Sequence, residues 1–542
     1  MRLIDPDSRT WEEAHRRFRW RVPERFNIAQ AVCDKHTARS TQIALHYEDV
    51  QGREATFAFG QIKKLSNQFA NVLRGLGVKA GDRVAIILPQ RPEAAIAHLG
   101  IYKIGGVALP LSVLFGTDAL DYRLRDSGAA VVITDGAHRE AIETLRHELP
   151  ALARVIDCDA PGSEGFWTLL GRATDALSVI DTHADDPALL IYTSGTTGPP
   201  KGALIAHRCL YGNLTGFELS HNFFPQDGDL FWTPADWAWT GGLIDGLLPS
   251  WYYGVPIVGY AGGKFDPDKA CELMVKYKVR NAFIPPTALK MIRQVEGLQR
   301  KSGLKLRSIM SAGEAVGAQL YHWGKEVLGV EINEMWAQTE FNYIVGNCSL
   351  IMDVRPGSMG RAYPGHRVEP VDEEGSVLPD NEVGELAAFR ADDPVMFLGY
   401  WQNDPATRAK FIGEWWGTGD MGYRDEDGYL WFVGRKDDVI SSAGYRIGPG
   451  EIEDCLLKHP AVAQAAAIGV PDDLRGEVVK AFVVLAPGFS ASNELRSEIR
   501  DAVRTRLAAY EYPREIEFIK QLPLTTTGKV RRVELRRRER QN

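Results

Sequence analysis

The chain has 542 residues, a length that favours several domains or subdomains, each able to bury its own core. Its 63 Lys and Arg stand against 71 Asp and Glu for a formal net charge of −8, and 44% of the residues are hydrophobic. This balance argues against broad non-specific binding to nucleic acid or anionic membrane, although a few well-placed cations suffice for an anionic ligand.

Residues 1–20 are charged throughout, with no apolar centre, so they do not read as a secretory signal. Ile62, Leu65, Phe69, Val72, Leu73 and Leu76 then recur at helix spacing, with Gly77 as a stop signal. Residues 84–88, closed by Pro89, read as a buried strand. They are followed by helix over 93–104, strand over 107–109, helix over 120–126 and a buried strand over 130–134. Strands alternating with helices imply right-handed crossovers and a largely parallel sheet that binds ligands at its carboxyl ends. No stretch approaches 18 consecutive apolar residues, because Lys103 and glycines interrupt the most apolar neighbourhood, 101–115; no membrane span is expected. From Pro356 onward, Gly and Asp turns separate short segments such as 383–389 and 428–433, which predicts a more antiparallel β subdomain over about 356–434. The texture changes again near Arg435-Lys436-Asp437-Asp438. A helix starting near Glu451, strands over 462–470 and 478–485, and a helix over 494–507 make a small α+β domain. The Arg-rich tail, 531–542, reads as a solvated helix end. The six cysteines, 33, 158, 209, 271, 348 and 455, are scattered and form no CxxC pair, so they read as single, mostly core thiols in a reducing compartment. A soluble, cytoplasmic protein is the expectation.

The most informative stretch runs Leu189-Leu190-Ile191-Tyr192-Thr193-Ser194-Gly195-Thr196-Thr197-Gly198-Pro199-Pro200-Lys201-Gly202. An apolar strand feeds a loop of hydroxyls and glycines that ends in lysine. Glycines let the backbone approach an anion, hydroxyls and N–H groups donate to phosphate oxygens, and the lysine adds charge. It is not a Walker A loop, in which Gly-Lys is followed by Ser or Thr at the start of a helix.

With this loop in view, the sequence resembles the acyl-adenylate-forming superfamily, which includes acyl-CoA synthetases, firefly-type luciferases and peptide-synthetase adenylation domains. The resemblance covers nearly the whole chain, with the signatures in order. Tyr192 to Gly202 matches the phosphate loop, Ser311-Ala312-Gly313-Glu314 the adenine-face segment, and Met335-Trp336-Ala337-Gln338-Thr339-Glu340 the aromatic-x-Gln-Thr-Glu motif. Thr418-Gly419-Asp420 with Gly434-Arg435 matches the ribose contacts. Ser442-Ala443-Gly444-Tyr445-Arg446 to Glu453 matches the stretch after the hinge, and the segment ending Thr527-Gly528-Lys529 the C-terminal lysine loop. The resemblance implies an α/β fold: a large N-terminal ATP- and acyl-binding domain, 1–436, of stacked, mostly parallel sheets plus the β subdomain, then a small mobile α+β domain, 437–542.

It also implies roles. Thr193, Ser194, Gly195, Thr196, Thr197, Gly198 and Lys201 would hold the phosphates, with Gly313, Glu314, Ala315, Met335, Ala337 and Gln338 along the nucleotide. Trp336 offers a flat face to adenine, and Glu334 an acceptor for its amino group. Thr339 would donate to the α-phosphate, and Glu340 would hold Mg²⁺, which prefers a carboxylate, phosphate oxygens and water. Asp420 would accept both ribose hydroxyls, with Arg435 as a donor beside it. Lys529 would bridge the substrate carboxylate and α-phosphate, aided by Arg446, in a step that depends on positioning and charge stabilisation. The C-terminal domain would then turn about Asp437 and present Ala443 and Gly444 to coenzyme A, with Arg504 a contact for its phosphates. The lysine segment also resembles the one through which bacterial acyl-CoA synthetases are switched off by an acetyltransferase and restored by a deacetylase; acetylation of Lys529 would remove its charge.

The stretch Phe231 to Gly242 looks like one wall of an acyl pocket and most resembles the acetyl- and medium-chain acyl-CoA synthetase branch. Acetyl-CoA synthetases carry a second tryptophan where this chain has Ala337, and Ala312 and Gly241 are also small; Trp239 and Thr240 complete the wall. Losing an indole makes room for several methylenes, each worth roughly 0.8 kcal/mol when buried. The substrate expected is therefore a medium-chain, branched-chain or small aromatic acid rather than acetate. Two other readings share the ATP motifs: an adenylating enzyme that loads another acceptor, separated by whether AMP release needs CoA, and a non-catalytic nucleotide-binding regulator, separated by pyrophosphate release.

Overall fold

The computed structural model describes residues 2–193, 199–298, 303–442, 445–472, 476–507, 512–525 and 529–541. The chain divides into two compact units, Met1–Arg367 with Arg390–Ala409, and Val368–Phe389 with Lys410–Asn542. This division differs from the boundary expected at 436 in which side holds the β segment: the strands of 368–389 and 410–435 group with the residues that follow them.

The first unit carries two sheets among its described residues. In one, Arg83–Ile87, Val107–Pro110, Val131–Thr134, Arg154–Asp157 and Pro187–Thr193 run parallel, with Lys201–Ala206 and Gly399–Tyr400 added antiparallel. These strands are near-continuous apolar runs because helices cover them. The helix Pro92–Lys103 is buried at every residue, so it has no polar face, as a helix inside a large core requires. The second, nine-stranded sheet is parallel through Ile257–Ala261, Asn281–Phe283, Ser308–Ala312 and Ile332–Gln338, with antiparallel edges. Its hairpin between Ile332–Gln338 and Phe341–Gly346 turns at Thr339-Glu340.

The second unit opens with an antiparallel sheet of Val368–Val371, Gly384–Phe389, Phe411–Ile412, Trp415–Arg424 and Leu430–Arg435. Next comes a sheet of Ile440–Ser442, Tyr445–Ile447, Val462–Asp472, Gly476–Leu485 and Glu515–Phe518. Period-2 alternation sends Ala465 and Ala467 into one core, with Ile452, Leu456, Ile499 and Val503 from two helices, and Ala466, Ile468 and Val470 into another. Here the reading of the tail is corrected. The helix Arg532–Gln541 is not merely a solvated end: Leu535, 2% exposed, seals the second core with Phe482 and Leu522. A strand apolar on both faces needs two covers, and the tail supplies the second. Among the described residues, no helix is long and apolar enough to cross a membrane.

Candidate active site

In the first unit, the strand Pro187–Thr193 delivers the hydroxyl-rich loop and Lys201 opens the strand that returns. Cross-strand pairing sets Thr193 against Lys201. Ser194, Gly195, Thr196, Thr197 and Gly198 lie outside the described residues. Tyr192 is buried, and burial, reinforced by a hydrogen bond to Asp126, pushes its phenol pKa well up; it anchors the base of the loop as a neutral group. Lys201 holds its ammonium 5.2 Å from the ring centroid of Tyr400. The same Tyr400 donates its hydroxyl to Oε1 of Glu340, a buried carboxylate, whose backbone oxygen accepts from Phe397 N at 2.9 Å. Lys201 and the carboxylate of the hairpin turn thus meet on one tyrosine far from both in sequence.

Trp336, half-buried, leans on Phe341 at 5.6 Å between ring centroids. Glu334 is buried and accepts from Val316 N at 3.3 Å, and Glu314 accepts from the Thr287 hydroxyl at 3.0 Å. Gly313 takes φ +95°, the left-handed region, which turns the chain sharply out of the strand Ser308–Ala312. Met335 is buried, while Ala337, Gln338 and Thr339 are half-buried and Ala315 is exposed.

The stretch expected to wall an acyl pocket is more crowded than its glycines suggest. A Cβ at Gly241 would stand 2.6 Å from Cε1 of Phe283, so that ring fills the space the missing side chain leaves. Trp239 meets Phe115 edge-on at 5.8 Å, and the Arg123 guanidinium covers Phe115 at 4.1 Å. Thr240 starts a short helical turn that continues through Leu243–Leu247, and Ala312 is buried at a strand end. On that continuation, burial pushes the Asp245 carboxyl up to about 8 although Asn342 donates to it.

In the second unit, Asp420 and Arg435 face each other across the strands Trp415–Arg424 and Leu430–Arg435, with Nη1 donating to Oδ1 at 2.6 Å. Burial opposes the charge of Arg435, but Asp420 and then Asp437 outweigh it, and its pKa is raised. Thr418 Oγ1 accepts from Asp420 N at 3.0 Å and donates to Leu386 O at 2.6 Å. Asp437 is exposed, 3.8 Å from Arg435 Nε. Lys529 is exposed, its N–H donating to Thr525 Oγ1 at 3.0 Å and its carbonyl accepting from Thr525 N at 2.7 Å. Arg504 lies 5.7 Å and Arg514 4.5 Å from the ring centroid of Tyr512. Ala443 and Gly444 lie outside the described residues, as do Thr527, Gly528 and the side chain of Arg446.

Comparison with known proteins decides the family. The model of the AMP-binding enzymes matches residues 34–401, and that of their C-terminal domain matches 451–529. The chain belongs to the AMP-binding enzymes. It is 34% identical to the mitochondrial acyl-coenzyme A synthetase ACSM3 of Rattus norvegicus over 99% of this chain and 96% of that one. It is 36% identical to the acetyl-coenzyme A synthetase of Bacillus subtilis over 97% and 95%. A crystal structure of the anthranilate CoA ligase AuaEII with anthranoyl-AMP superimposes with a TM-score of 0.85 at 32% identity, covering 95% of this chain and 98% of that one. This AMP-binding enzyme is an AMP-forming acid–CoA ligase that uses ATP and coenzyme A as substrates. Of its motif residues, Thr193, Lys201, Gln338 and Arg435 stand at strand ends and Trp336 and Asp420 inside strands. Tyr400 and Phe283 had no sequence signal of their own, because each acts through a neighbour distant in sequence, and the Tyr512–Arg514 pair is local but belongs to no motif.

Proposed function

We propose that this ligase acts on an acid larger than propionate, favouring small aromatic or branched acids over long straight chains, and that Lys529 carries its first half-reaction. Two observations support the substrate reading: Ala337 is small, and the Phe283 ring stands where a side chain at Gly241 would be. In this reading the small Ala337 leaves room for a bulky acyl group, and the flat Phe283 ring limits a long straight chain. Benzoate and anthranilate ligases among the structural relatives agree with that shape.

In the first half-reaction, a carboxylate oxygen of the acid attacks the α-phosphorus and pyrophosphate leaves. Lys529, Arg446 and Thr339 meet the charge that spreads over the phosphoryl oxygens. Asp420 and Arg435 hold the ribose, Trp336 the adenine, and the phosphate loop with Lys201 the leaving pyrophosphate. Glu340 fits Mg²⁺: it is a buried carboxylate oriented by Tyr400, and no cluster of three ligating side chains exists among the described residues, as suits an ion held largely by phosphates and water. The metal supplies charge neutralisation at the phosphates. In the second half-reaction the CoA sulfur attacks the acyl carbonyl and AMP leaves, after the C-terminal part turns about Asp437 and brings up Ala443 and Gly444. Arg504 and Arg514 flanking Tyr512 suit an anionic, aromatic ligand such as the nucleotide end of CoA. Exposed Lys529 is also the residue an acetyltransferase would silence, and six scattered, buried cysteines agree with a cytoplasmic setting.

The test is pyrophosphate release with Mg-ATP across acids from acetate to decanoate, plus isobutyrate and benzoate, with and without CoA. Turnover that needs CoA and peaks with benzoate or a branched acid is expected. A peak at acetate or decanoate overturns the pocket reading, and full turnover without CoA points to another acyl acceptor.

A further inference from the structure

Just beyond Lys529, the chain enters a side-chain network that the reaction scheme does not use. Arg532 begins the C-terminal helix, and its Nη2 donates to both carboxylate oxygens of Glu453 at 2.7 Å. Its Nη1 reaches Asp438 Oδ2 at 3.4 Å, and Arg536, one turn on, donates to the other oxygen of Asp438. Glu453 Oε1 also accepts from Ala467 N at 2.8 Å, which ties the helix Pro449–Leu456 to the sheet. Arg532 therefore joins three separate segments, one of them the residue that follows Asp437. The chain on either side of Lys529 is held together by Arg531 N donating to Pro523 O at 2.8 Å and by the pairing of Leu524 with Val530.

Local helix stability does not explain these arginines. Cations in the first turn oppose the helix dipole, so Arg531 and Arg532 stand where a helix prefers acids. A bidentate arginine–carboxylate fork, by contrast, fixes orientation as well as charge, and only 18% of the Arg532 side chain and 14% of Glu453 remain exposed.

We propose that Arg532 is a positioning residue for the adenylation step: held by Glu453 and Asp438, it locks the paired chain around Lys529 to the chain beside Asp437, so that lysine and hinge move as one rigid piece. The proposal rests on the reading of Lys529 and Asp437 given above. A misplacement of about 1 Å in a reacting group costs roughly 100-fold in rate. The thiol step, in which Lys529 takes no part, is indifferent to the lock.

The experiment compares Arg532→Met, Arg532→Lys, Glu453→Gln and Lys529→Ala in the full-length protein. Acyl-AMP formation is followed in single turnover, and conversion of supplied acyl-AMP with CoA separately, alongside the melting temperature of each variant. Both Arg532 variants are expected to slow the first step by roughly 100-fold, leaving the KM for ATP and the second step unchanged; failure of lysine to rescue marks geometry rather than charge. Glu453→Gln preserves shape and decides the matter if Arg532→Met fails to fold; it too should slow only the first step. Equal loss in both half-reactions overturns the proposal in favour of general packing. Normal adenylation in the Arg532 and Glu453 variants, with Lys529→Ala inactive, overturns it while leaving the lysine reading intact. Normal adenylation in Lys529→Ala removes that reading and the proposal with it.

Discussion

Tyr400 does two jobs with one ring: its hydroxyl orients Glu340 and its face receives Lys201. Removing the hydroxyl leaves Glu340 without its orienting donor. Tyr400→Phe is therefore expected to raise the Mg²⁺ concentration needed for half-maximal turnover by about 10–100-fold. An unchanged magnesium titration would separate Glu340 from metal binding. Ala337 is the other residue on which a clear outcome depends. An indole there would occupy the room that the small side chain leaves, so Ala337→Trp should shift preference toward acetate. A carboxylate profile identical to that of the parent enzyme would show that the pocket lies elsewhere. Both residues stand in recognisable stretches, but only Ala337 carried a signal in the sequence. A tyrosine in Phe397-Leu398-Gly399-Tyr400-Trp401 says nothing about a glutamate 60 residues away until packing brings them together.

The elements were largely legible. Local periodicity predicted the helix Phe59–Gly75, the buried strands Arg83–Ile87 and Val131–Thr134, and the paired strands Val462–Asp472 and Gly476–Leu485, because apolar spacing is a short-range property. The tail helix was misread, since its arginines dominate the composition while one leucine and ion pairs to Glu453, Asp438, Glu517 and Lys480 decide its place. The turn Leu243–Leu247 carries an element-scale prediction. Asp245 ordinarily titrates near 3.8, and burial raises it in the folded chain to about 8. Between those values the native state keeps a proton that the unfolded chain has lost, so this group's contribution to stability falls as pH rises through the window, by up to about 1.4 kcal/mol per unit. Asp245→Asn removes the titration and keeps the shape. Its stability relative to the parent should therefore improve steadily from pH 4 to pH 8 in denaturant melts. A constant difference across that range would mean that Asp245 is ionised in the fold.

At the scale of the molecule, ligand linkage gives the simplest check on nucleotide recognition. Anything that binds the folded chain alone stabilises it by about 2.7 kcal/mol at one hundred times its Kd. Mg-ATP should accordingly raise the thermal midpoint, and Asp420→Asn, which removes the charge paired with Arg435, should shrink that rise. An equal rise in the variant would place the ribose away from Asp420. What the sequence determined by itself is the class of chemistry and the kind of fold. Glycines, hydroxyls and a lysine in one loop, motifs in order along the chain, and strand–helix alternation are all local patterns, and local sterics enforce them. The tertiary structure alone decided that Phe283 fills the space beside Gly241, that Lys201 and Glu340 share Tyr400, and that Arg532 binds Glu453 and Asp438. Those neighbours lie tens to hundreds of residues apart, and close packing, which joins side chains without regard to their separation along the chain, is what selects them.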